Sequence, residues 1–271
     1  MANRIGFIGG GNMAQALVKG LLVAGYDRRE LSVGEPAATT RSKLKRRFGV
    51  KVSASNDEIL RTSDTVVLAV KPQVMAAVLD GLRVCVLSRQ LFVSIAAGVR
   101  LATLERGLGP VSKVIRVMPN TPCLVGKGAS VLCGGTRARR ADVNRAKRLF
   151  ETVGIATVVD EEKLLDAVTG LSGSGPAYVY LFAEALIKAG RACGLDAELA
   201  AALAFQTIAG SAAMMLESGA SPEALRKAVS SPGGTTVAGL AQLEAAGFSK
   251  AVASGVRAAT KRSRELAKGG R

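Results

Sequence analysis

The sequence predicts an α/β protein with a doubly wound parallel sheet over residues 1–160 and an all-helical domain over residues 161–271. Three observations predict this division. The chain opens with a strand pattern, a glycine-rich turn and a helical pattern. Continuous apolar runs of strand length then alternate with helical patterns, as in parallel sheets buried on both faces. Beyond Glu161 almost every segment has helical periodicity.

The composition excludes several classes of function. The chain of 271 residues has no histidine, which excludes Ser–His–Asp and Cys–His catalysis and any His-ligated metal, so we predict no metal site. The net charge is 37 − 21 = +16, but only 4% of residues are aromatic, so we predict anionic small molecules rather than nucleic acid as partners. The N-terminal apolar run is too short for a signal peptide, and no run reaches membrane-span length. We therefore predict a cytoplasmic protein.

The first strand pattern, Arg4–Ile8, runs into a turn of three glycines and then into a helical pattern that ends at Gly25. Gly9 suits the tight turn, and Gly11 lets a pyrophosphate approach the start of the helix. Ala14 takes the third position, where the helix packs on the sheet. This context predicts a dinucleotide site. The alternative is a tight turn that binds no ligand.

Glu35 ends the second strand pattern, Leu31–Glu35. An acidic residue in this place binds the adenosine ribose hydroxyls and favours NAD. Arg41 and Lys43, with the two threonines before them, could instead hold a 2′-phosphate. Glu35 could also be only a turn residue before Pro36. The sequence leaves NADH and NADPH open.

Three further strand patterns end in residues suited to cofactor contact. Lys71 follows the pattern Thr65–Val70, and Ala97 and Gly98 follow the pattern Leu91–Ala96. The pattern Lys113–Val117 leads into a loop with two prolines. Ligands of open α/β sheets lie at the carboxyl ends of the strands. Later strands are predicted at Ala129–Leu132 and Ile155–Val159, on either side of a basic helix, Ala141–Val153.

The second half is predicted to be helical. Residues 197–216 are apolar nearly all round, which predicts a helix buried against a second subunit or in the centre of a monomeric bundle. The predicted helices are Glu161–Thr169, Ala177–Cys193, Ala197–Ser218, Pro222–Ser230, Val237–Ala246 and Phe248–Lys268.

The stretch Ser230–Leu240 lies between two of these helices. Its Gly-Gly pair frees the backbone to approach a ligand, and serines and threonines flank the pair. Backbone N–H groups at a helix start, together with hydroxyls, form a small anion pocket. A capped helix start after a Pro-Gly turn explains the same residues.

Six motifs occur in order along nearly the whole chain. They are IGFIGGGNMA at 5–14, LAVKPQ at 68–73, AAGV at 96–99, VMPNTP at 117–122, DAVTGLSGSGPAY at 166–178 and SSPGGTTVAGL at 230–240. Together these motifs resemble the pyrroline-5-carboxylate reductase family, whose members reduce a cyclic imine to L-proline with NADPH or NADH.

The resemblance implies a Rossmann domain, an all-helical dimerisation domain and an interlocked homodimer that often assembles into decamers. It implies an active site between the cofactor domain of one subunit and the helices of its partner. Thr236 matches the hydroxyl that bonds the ring nitrogen, and Glu162 aligns with a substrate-side acid. The other residues implied for the substrate are Ser231, Gly233, Gly234 and Thr235. Those predicted for the cofactor are Ile8, Gly9, Gly10, Gly11, Asn12, Met13, Glu35, Asn56, Ala69, Val70, Lys71, Pro72, Ala96, Ala97 and Gly98.

This reaction suits a histidine-free chain, because a protonated cyclic imine is already electrophilic and needs no strong protein acid. A competing interpretation is a β-hydroxyacid dehydrogenase, whose catalytic Lys has an Asn downstream at helical spacing. Lys188 lacks that pattern. A second alternative is a non-catalytic nucleotide sensor or nucleic-acid-binding protein, which the net charge of +16 motivates.

Overall fold

The computed structural model describes residues 4–269, without the side chains of residues 84, 268 and 269. Contacts divide the chain into two compact units. The sheet unit comprises the chain up to Ser174 together with the segment from Arg257 onward. The helical unit comprises Gly175–Val256.

The sheet unit contains one sheet of eight strands, in the order β3-β2-β1-β4-β5-β6-β7-β8. All neighbouring strands are parallel except β6 and β7, which are antiparallel. The strand order reverses between β1 and β4, which is the topological switch point where doubly wound sheets bind ligands. The strands are β1 Ile5–Ile8, β2 Leu31–Gly34, β3 Lys51–Ser53, β4 Thr65–Leu68, β5 Leu91–Ser94, β6 Lys113–Met118, β7 Gly128–Gly134 and β8 Gly154–Val158.

Helices cover the sheet because its central strands are apolar on both faces. Phe7 and Val67 pack in one buried cluster, while their neighbours Ile8 and Leu68 pack in another, as the two-residue period of a strand requires. The helices of this unit are α1 Asn12–Val23, α2 Ala38–Phe48, α3 Asn56–Thr62, α4 Met75–Leu82, α5 Leu101–Leu108, α6 Arg140–Glu151 and α7 Leu164–Val168.

The helical unit is built from α8 Gly175–Ala192, α9 Ala197–Glu217, α10 Pro222–Ala228, α11 Thr235–Ala245 and the first part of α12, Phe248–Gly269. Side-chain caps begin two of these helices, because Asp196 accepts from the Leu199 N–H and Ser221 from the Ala224 N–H. Among the described helices, α9 alone has the length and apolar composition to cross a membrane, and 11% of its most apolar window is buried. The expectation that no run reaches span length is therefore wrong for α9.

The predicted α/β architecture is confirmed, with two differences. Strand β3 is missing from the sequence-based assignment because its three residues, Lys51–Ser53, are too few and too polar to stand out. Strand β7 is antiparallel because a short 3₁₀ turn, Thr121–Val125, joins it to β6. A parallel neighbour would need a longer crossover.

The compact units do not divide the chain at residue 160. Residues 161–174 and the second part of α12 group with the sheet by contact. A domain boundary between residues 160 and 161 stays a prediction.

Candidate active site

The turn between β1 and α1 lies at the switch point of the sheet. Gly9 has a φ of +99°, and a Cβ at this residue would lie 2.8 Å from the carbonyl oxygen of Ala69, so only glycine fits. Gly11 is the N-cap of α1, makes no side-chain cap and has no atom within 4 Å of a Cβ built on it. The first turn of α1 contains no acidic residue. The backbone N–H groups at the start of α1 and the open space at Gly11 fit the pyrophosphate of a dinucleotide.

The rest of the turn packs against the sheet unit. Ala14 is 1% exposed and lies in the core, which confirms its predicted packing position. Ile8 is fully buried and contributes its side chain to the core rather than to an open surface. Met13 is half-buried against the cluster that contains Ala14, and Asn12 is exposed.

The carboxylate of Glu35 is bonded to the main chain on both oxygens. Oε2 accepts from the Gly10 N–H and Oε1 from the Ala37 N–H, each at 3.0 Å. Arg41 donates to the carbonyl oxygens of Glu35 and Pro36, at 2.7 and 2.6 Å, and not to the carboxylate. Glu35 therefore joins the glycine turn to the start of α2, in addition to any contact with a ribose.

A basic cleft of about 530 Å³ lies beside this turn. Arg47 of α2 donates to Gln15 of α1 at 3.4 Å, and Gln15 donates to the Gly10 carbonyl at 3.0 Å. These bonds connect the cleft to the glycine turn. The cleft is lined by Gln15, Thr40, Lys43, Arg46 and Arg47 and suits an anionic group.

The other residues predicted for the cofactor follow β4 and β5 or begin α3. After β4, Ala69 and Val70 are half-buried, whereas Lys71 and Pro72 are exposed. After β5, Ala96 is buried, Ala97 is exposed and Gly98 has a φ of +75°. The amide oxygen of Asn56 lies against Gly34, at 2.7 Å from the position of an added Cβ. Because β1, β4 and β5 are adjacent and parallel, the fold brings these segments to one edge of the sheet.

The predicted substrate residues lie in the helical unit, at the start of α11. Gly233 has a φ of +70°, and Gly234 is the N-cap without a side-chain cap bond. A Cβ on Gly234 would lie 2.5 Å from the Ser231 hydroxyl oxygen, so this hydroxyl sits at the helix start. Thr235 and Thr236 form the first turn, which contains no acidic residue. The helix begins at Thr235, two residues before the predicted start, so both threonines contribute N–H groups as well as hydroxyls.

Glu162 lies in the sheet unit and bonds two protein groups. Its Oε1 accepts from Arg116 Nη1 at 2.7 Å and from the Leu101 N–H at 2.8 Å. The Arg116 side chain, on the central strand β6, is 1% exposed. Burial raises the pKa of the neighbouring Cys133 thiol, the negative charge of Glu162 adds to this, and Arg116 opposes it.

A second ion-paired carboxylate lies on α7, and this one is buried. Asp166 is ion-paired with Arg100 at 2.7 Å and accepts from the Ser263 hydroxyl of α12 at 2.7 Å. Sequence reasoning missed Arg116 and Asp166. The signal for Arg116 was available, because it interrupts an otherwise apolar strand, Val114–Met118.

Comparison with known proteins agrees with this geometry. Residues 162–266 match the family model described as pyrroline-5-carboxylate reductase dimerisation, and residues 4–98 match one described as NADP oxidoreductase coenzyme F420-dependent. The chain is 44% identical to a pyrroline-5-carboxylate reductase of Pseudomonas aeruginosa, over 97% of each chain.

Solved structures of similar proteins share the whole fold. A pyrroline-5-carboxylate reductase from Coxiella burnetii has a TM-score of 0.93 at 36% identity, and the match covers 98% of this chain and 99% of that one. A Plasmodium falciparum pyrroline carboxylate reductase, solved with NADP bound, has a TM-score of 0.87 at 37% identity, with 98% and 99% covered. The chain belongs to the pyrroline-5-carboxylate reductase family.

Proposed function

We propose that this chain reduces 1-pyrroline-5-carboxylate to L-proline by hydride transfer from NAD(P)H, the final step of proline biosynthesis. The observation that carries the proposal is a pair of glycine-led helix starts without capping side chains, α1 in the sheet unit and α11 in the helical unit. Each presents backbone N–H groups to an anion. The cofactor pyrophosphate and the substrate carboxylate are the two anions that the reaction requires.

The start of α11 supplies the groups that the substrate needs. We assign the carboxylate to the N–H groups of Thr235 and Thr236 together with the hydroxyls of Ser231 and Thr235, because the Gly234 N–H donates to the Ser231 carbonyl at 2.9 Å. The hydroxyl of Thr236 bonds the ring nitrogen and orients the proton on it. NAD(P)H, when bound, supplies the hydride. Because the protonated imine is already electrophilic, positioning of the ring accounts for most of the protein's contribution.

The glycine turn, Asn56 and the segments after β4 and β5 hold the cofactor in this proposal. Gly9 and Gly11 place the pyrophosphate at α1, and Glu35 and Asn56 face the adenosine ribose. Lys71 and Ala96–Gly98 lie farther along the same edge of the sheet. The site is assigned to both NADH and NADPH, because Glu35 favours a ribose hydroxyl whereas the basic cleft favours a phosphate.

The chain carries the family's dimerisation region, so it forms a homo-oligomer. Helix α9 supports a dimer, because it is apolar nearly all round yet only 11% of its most apolar window is buried within one chain. A second copy covers that surface in our proposal, rather than a lipid bilayer, and the dimers can assemble further into decamers. We place the enzyme in the cytoplasm, with neither membrane nor nucleic acid as a partner.

A steady-state assay tests the proposed reaction. The protein is incubated with 1-pyrroline-5-carboxylate and either NADPH or NADH, and the absorbance of the reduced nicotinamide is followed. We expect oxidation of at least one cofactor and formation of proline. Absence of turnover with both would disprove the proposal. A 3-hydroxy acid with NAD or NADP is the control for the dehydrogenase alternative and should give no reaction.

A further inference from the structure

The loop between β5 and α5, residues 95–100, contains three of the predicted cofactor residues, Ala96, Ala97 and Gly98. We call it the β5–α5 loop. It has few internal hydrogen bonds, and its Val99 N–H to Ala96 carbonyl bond is long, at 3.4 Å. Three groups from later in the chain hold it in place, all of them within the sheet unit.

The first group is Glu162, which caps α5 from outside the helix. The N-cap residue of α5, Arg100, makes no side-chain cap, and the first turn has no acidic residue. Glu162 supplies both the cap and the negative charge at this helix start. Its carboxylate accepts from the N–H of Leu101, the first residue of α5, at 2.8 Å. The end of the β5–α5 loop is thereby fixed.

Arg116 restricts where the Glu162 carboxylate can lie. Its side chain is 1% exposed, and Nη1 donates to Glu162 at 2.7 Å. Its other terminal nitrogen, Nη2, is buried and has no hydrogen-bond partner among the described residues. The Glu162 side chain, 24% exposed, is therefore the counter-charge of a fully buried guanidinium, and turning its Oε1 toward a substrate would leave that charge unpaired.

The second and third groups are Asp166 of α7 and Leu266 of α12. Asp166 is 2% exposed at its side chain, pairs with Arg100 of the loop at 2.7 Å and is itself held by the Ser263 hydroxyl. A Cβ on Gly98 would lie 3.3 Å from Leu266 Cβ, so α12 packs directly on the loop. The loop is thus contacted at residues 98 and 100, and the first residue of α5 after it, Leu101, is held by Glu162.

We propose that Glu162 and Asp166 are positioning residues for the nicotinamide cofactor, which act by holding the β5–α5 loop, and that Glu162 is not a substrate ligand. The inference rests on the proposed function, because it assigns the loop to the cofactor. Glu162 and Asp166 begin the dimerisation region, residues 162–266, and Ser263 and Leu266 end it. The region that joins two subunits therefore also shapes the cofactor site of its own chain.

The test measures cofactor affinity without turnover. Dissociation constants of NADPH and NADH are determined by titration calorimetry for wild type, Glu162→Gln and Asp166→Asn. We expect each variant to bind both cofactors at least about tenfold more weakly, as for the loss of one charge-assisted hydrogen bond. The KM for 1-pyrroline-5-carboxylate at saturating cofactor should change less than twofold. A substrate role for Glu162 predicts the opposite pattern and would overturn the inference.

Asp142→Asn is the matched control for a general loss of stability. Asp142 is also buried, also lies beside a cation, Lys113 at 3.6 Å, and also accepts from a backbone N–H at a helix start, that of Arg139 at 3.1 Å. It lies in α6, away from the β5–α5 loop in sequence. We expect Asp142→Asn to lower the melting temperature without weakening cofactor binding. Equal weakening in all three variants would refute a positioning role.

If Glu162→Gln does not give folded protein, Asp166→Asn and Arg100→Met decide the question, because both remove the ion pair that holds the loop and leave Glu162 in place. Unchanged cofactor affinity in both would overturn the inference.

The outcomes separate the two proposals. A wild type that binds NADPH but does not turn over the imine removes the proposed reaction alone. An active wild type whose variants bind NADPH normally removes the positioning role alone.

Discussion

The two glycine turns of the chain have the same local design and different surroundings. Each precedes a helix that has no capping side chain and no acidic residue in its first turn, and each contains a glycine with positive φ, +99° at Gly9 and +70° at Gly233. An added Cβ at Gly9 meets the Ala69 carbonyl oxygen at 2.8 Å. Apart from its chain neighbours, an added Cβ at Gly233 meets no atom of the described residues within 4 Å.

The sheet fixes the shape of the Gly9 turn, whereas the Gly233 turn is fixed mainly by its own backbone. The Gly9 turn is bonded to β2 and packed against the segment after β4, so the fold of one chain determines its shape. The Gly233 turn is exposed within one chain. We infer that the first turn is a rigid cofactor cradle and that the second depends on Ser231 and the threonines after it. Substitutions in the two turns test whether their surroundings make them differ.

The largest effect is expected for Thr236→Ala. Loss of the hydroxyl that we propose bonds the ring nitrogen should remove about 2–4 kcal/mol of transition-state binding, which lowers kcat by roughly 30-fold to 1000-fold. Steady-state kinetics with saturating cofactor measures this. Thr236→Ser keeps the hydroxyl and should retain most activity. If Thr236→Ala has wild-type kcat, then Thr236 has no part in the chemistry.

The next largest effect is a difference between Gly9→Ala and Gly233→Ala in folding stability and cofactor binding. Both place a Cβ at positive φ, which costs about 1–2 kcal/mol. Gly9→Ala adds the clash with Ala69, so we expect a total of about 3 kcal/mol and weakened cofactor binding. Thermal unfolding and calorimetric titration with NADPH measure the two variants. Equal losses of stability would contradict the distinction between the two turns.

A smaller change is expected for Glu35→Ser. Removing the carboxylate removes repulsion of a 2′-phosphate, so the ratio of kcat/KM for NADPH over NADH should rise about tenfold, or ~1.4 kcal/mol. The variant also loses the acceptor of the Gly10 N–H, so both cofactors should bind more weakly. Glu35→Gln is the control, because it removes the charge and can keep that bond. An unchanged ratio in both variants means that Glu35 does not recognise the ribose.

The smallest effect is expected for Ser231→Ala. Its hydroxyl is one of several donors that we assign to the substrate carboxylate, so the KM for 1-pyrroline-5-carboxylate should rise by about fivefold, or ~1 kcal/mol. Ser230→Ala is the matched control, since the Ser230 hydroxyl bonds the Arg226 carbonyl and is not assigned to the substrate. The same rise in KM for both serines would place the effect on the turn as a whole.

Local patterns predicted much of this molecule. The apolar runs located β1, β4, β5 and β6, and the glycine turn located the start of α1 with Ala14 buried beneath it. Strand β3 escaped prediction because a three-residue polar strand has no periodicity to detect. The antiparallel direction of β7 was also not predicted, because it depends on the length of the connection from β6 and not on the residues of the strand itself.

The residues proposed to bind ligands through local backbone geometry could be predicted from the sequence itself, and their roles stay predictions. Gly9, Gly233, Ser231 and Thr236 each lie within a few residues of a helix start. Only the tertiary structure showed that Glu162 pairs with Arg116 and Asp166 with Arg100, because these partners are 46 and 66 residues apart. A buried charge acquires its role from the group that folding places beside it, and that group cannot be identified from spacing along the chain.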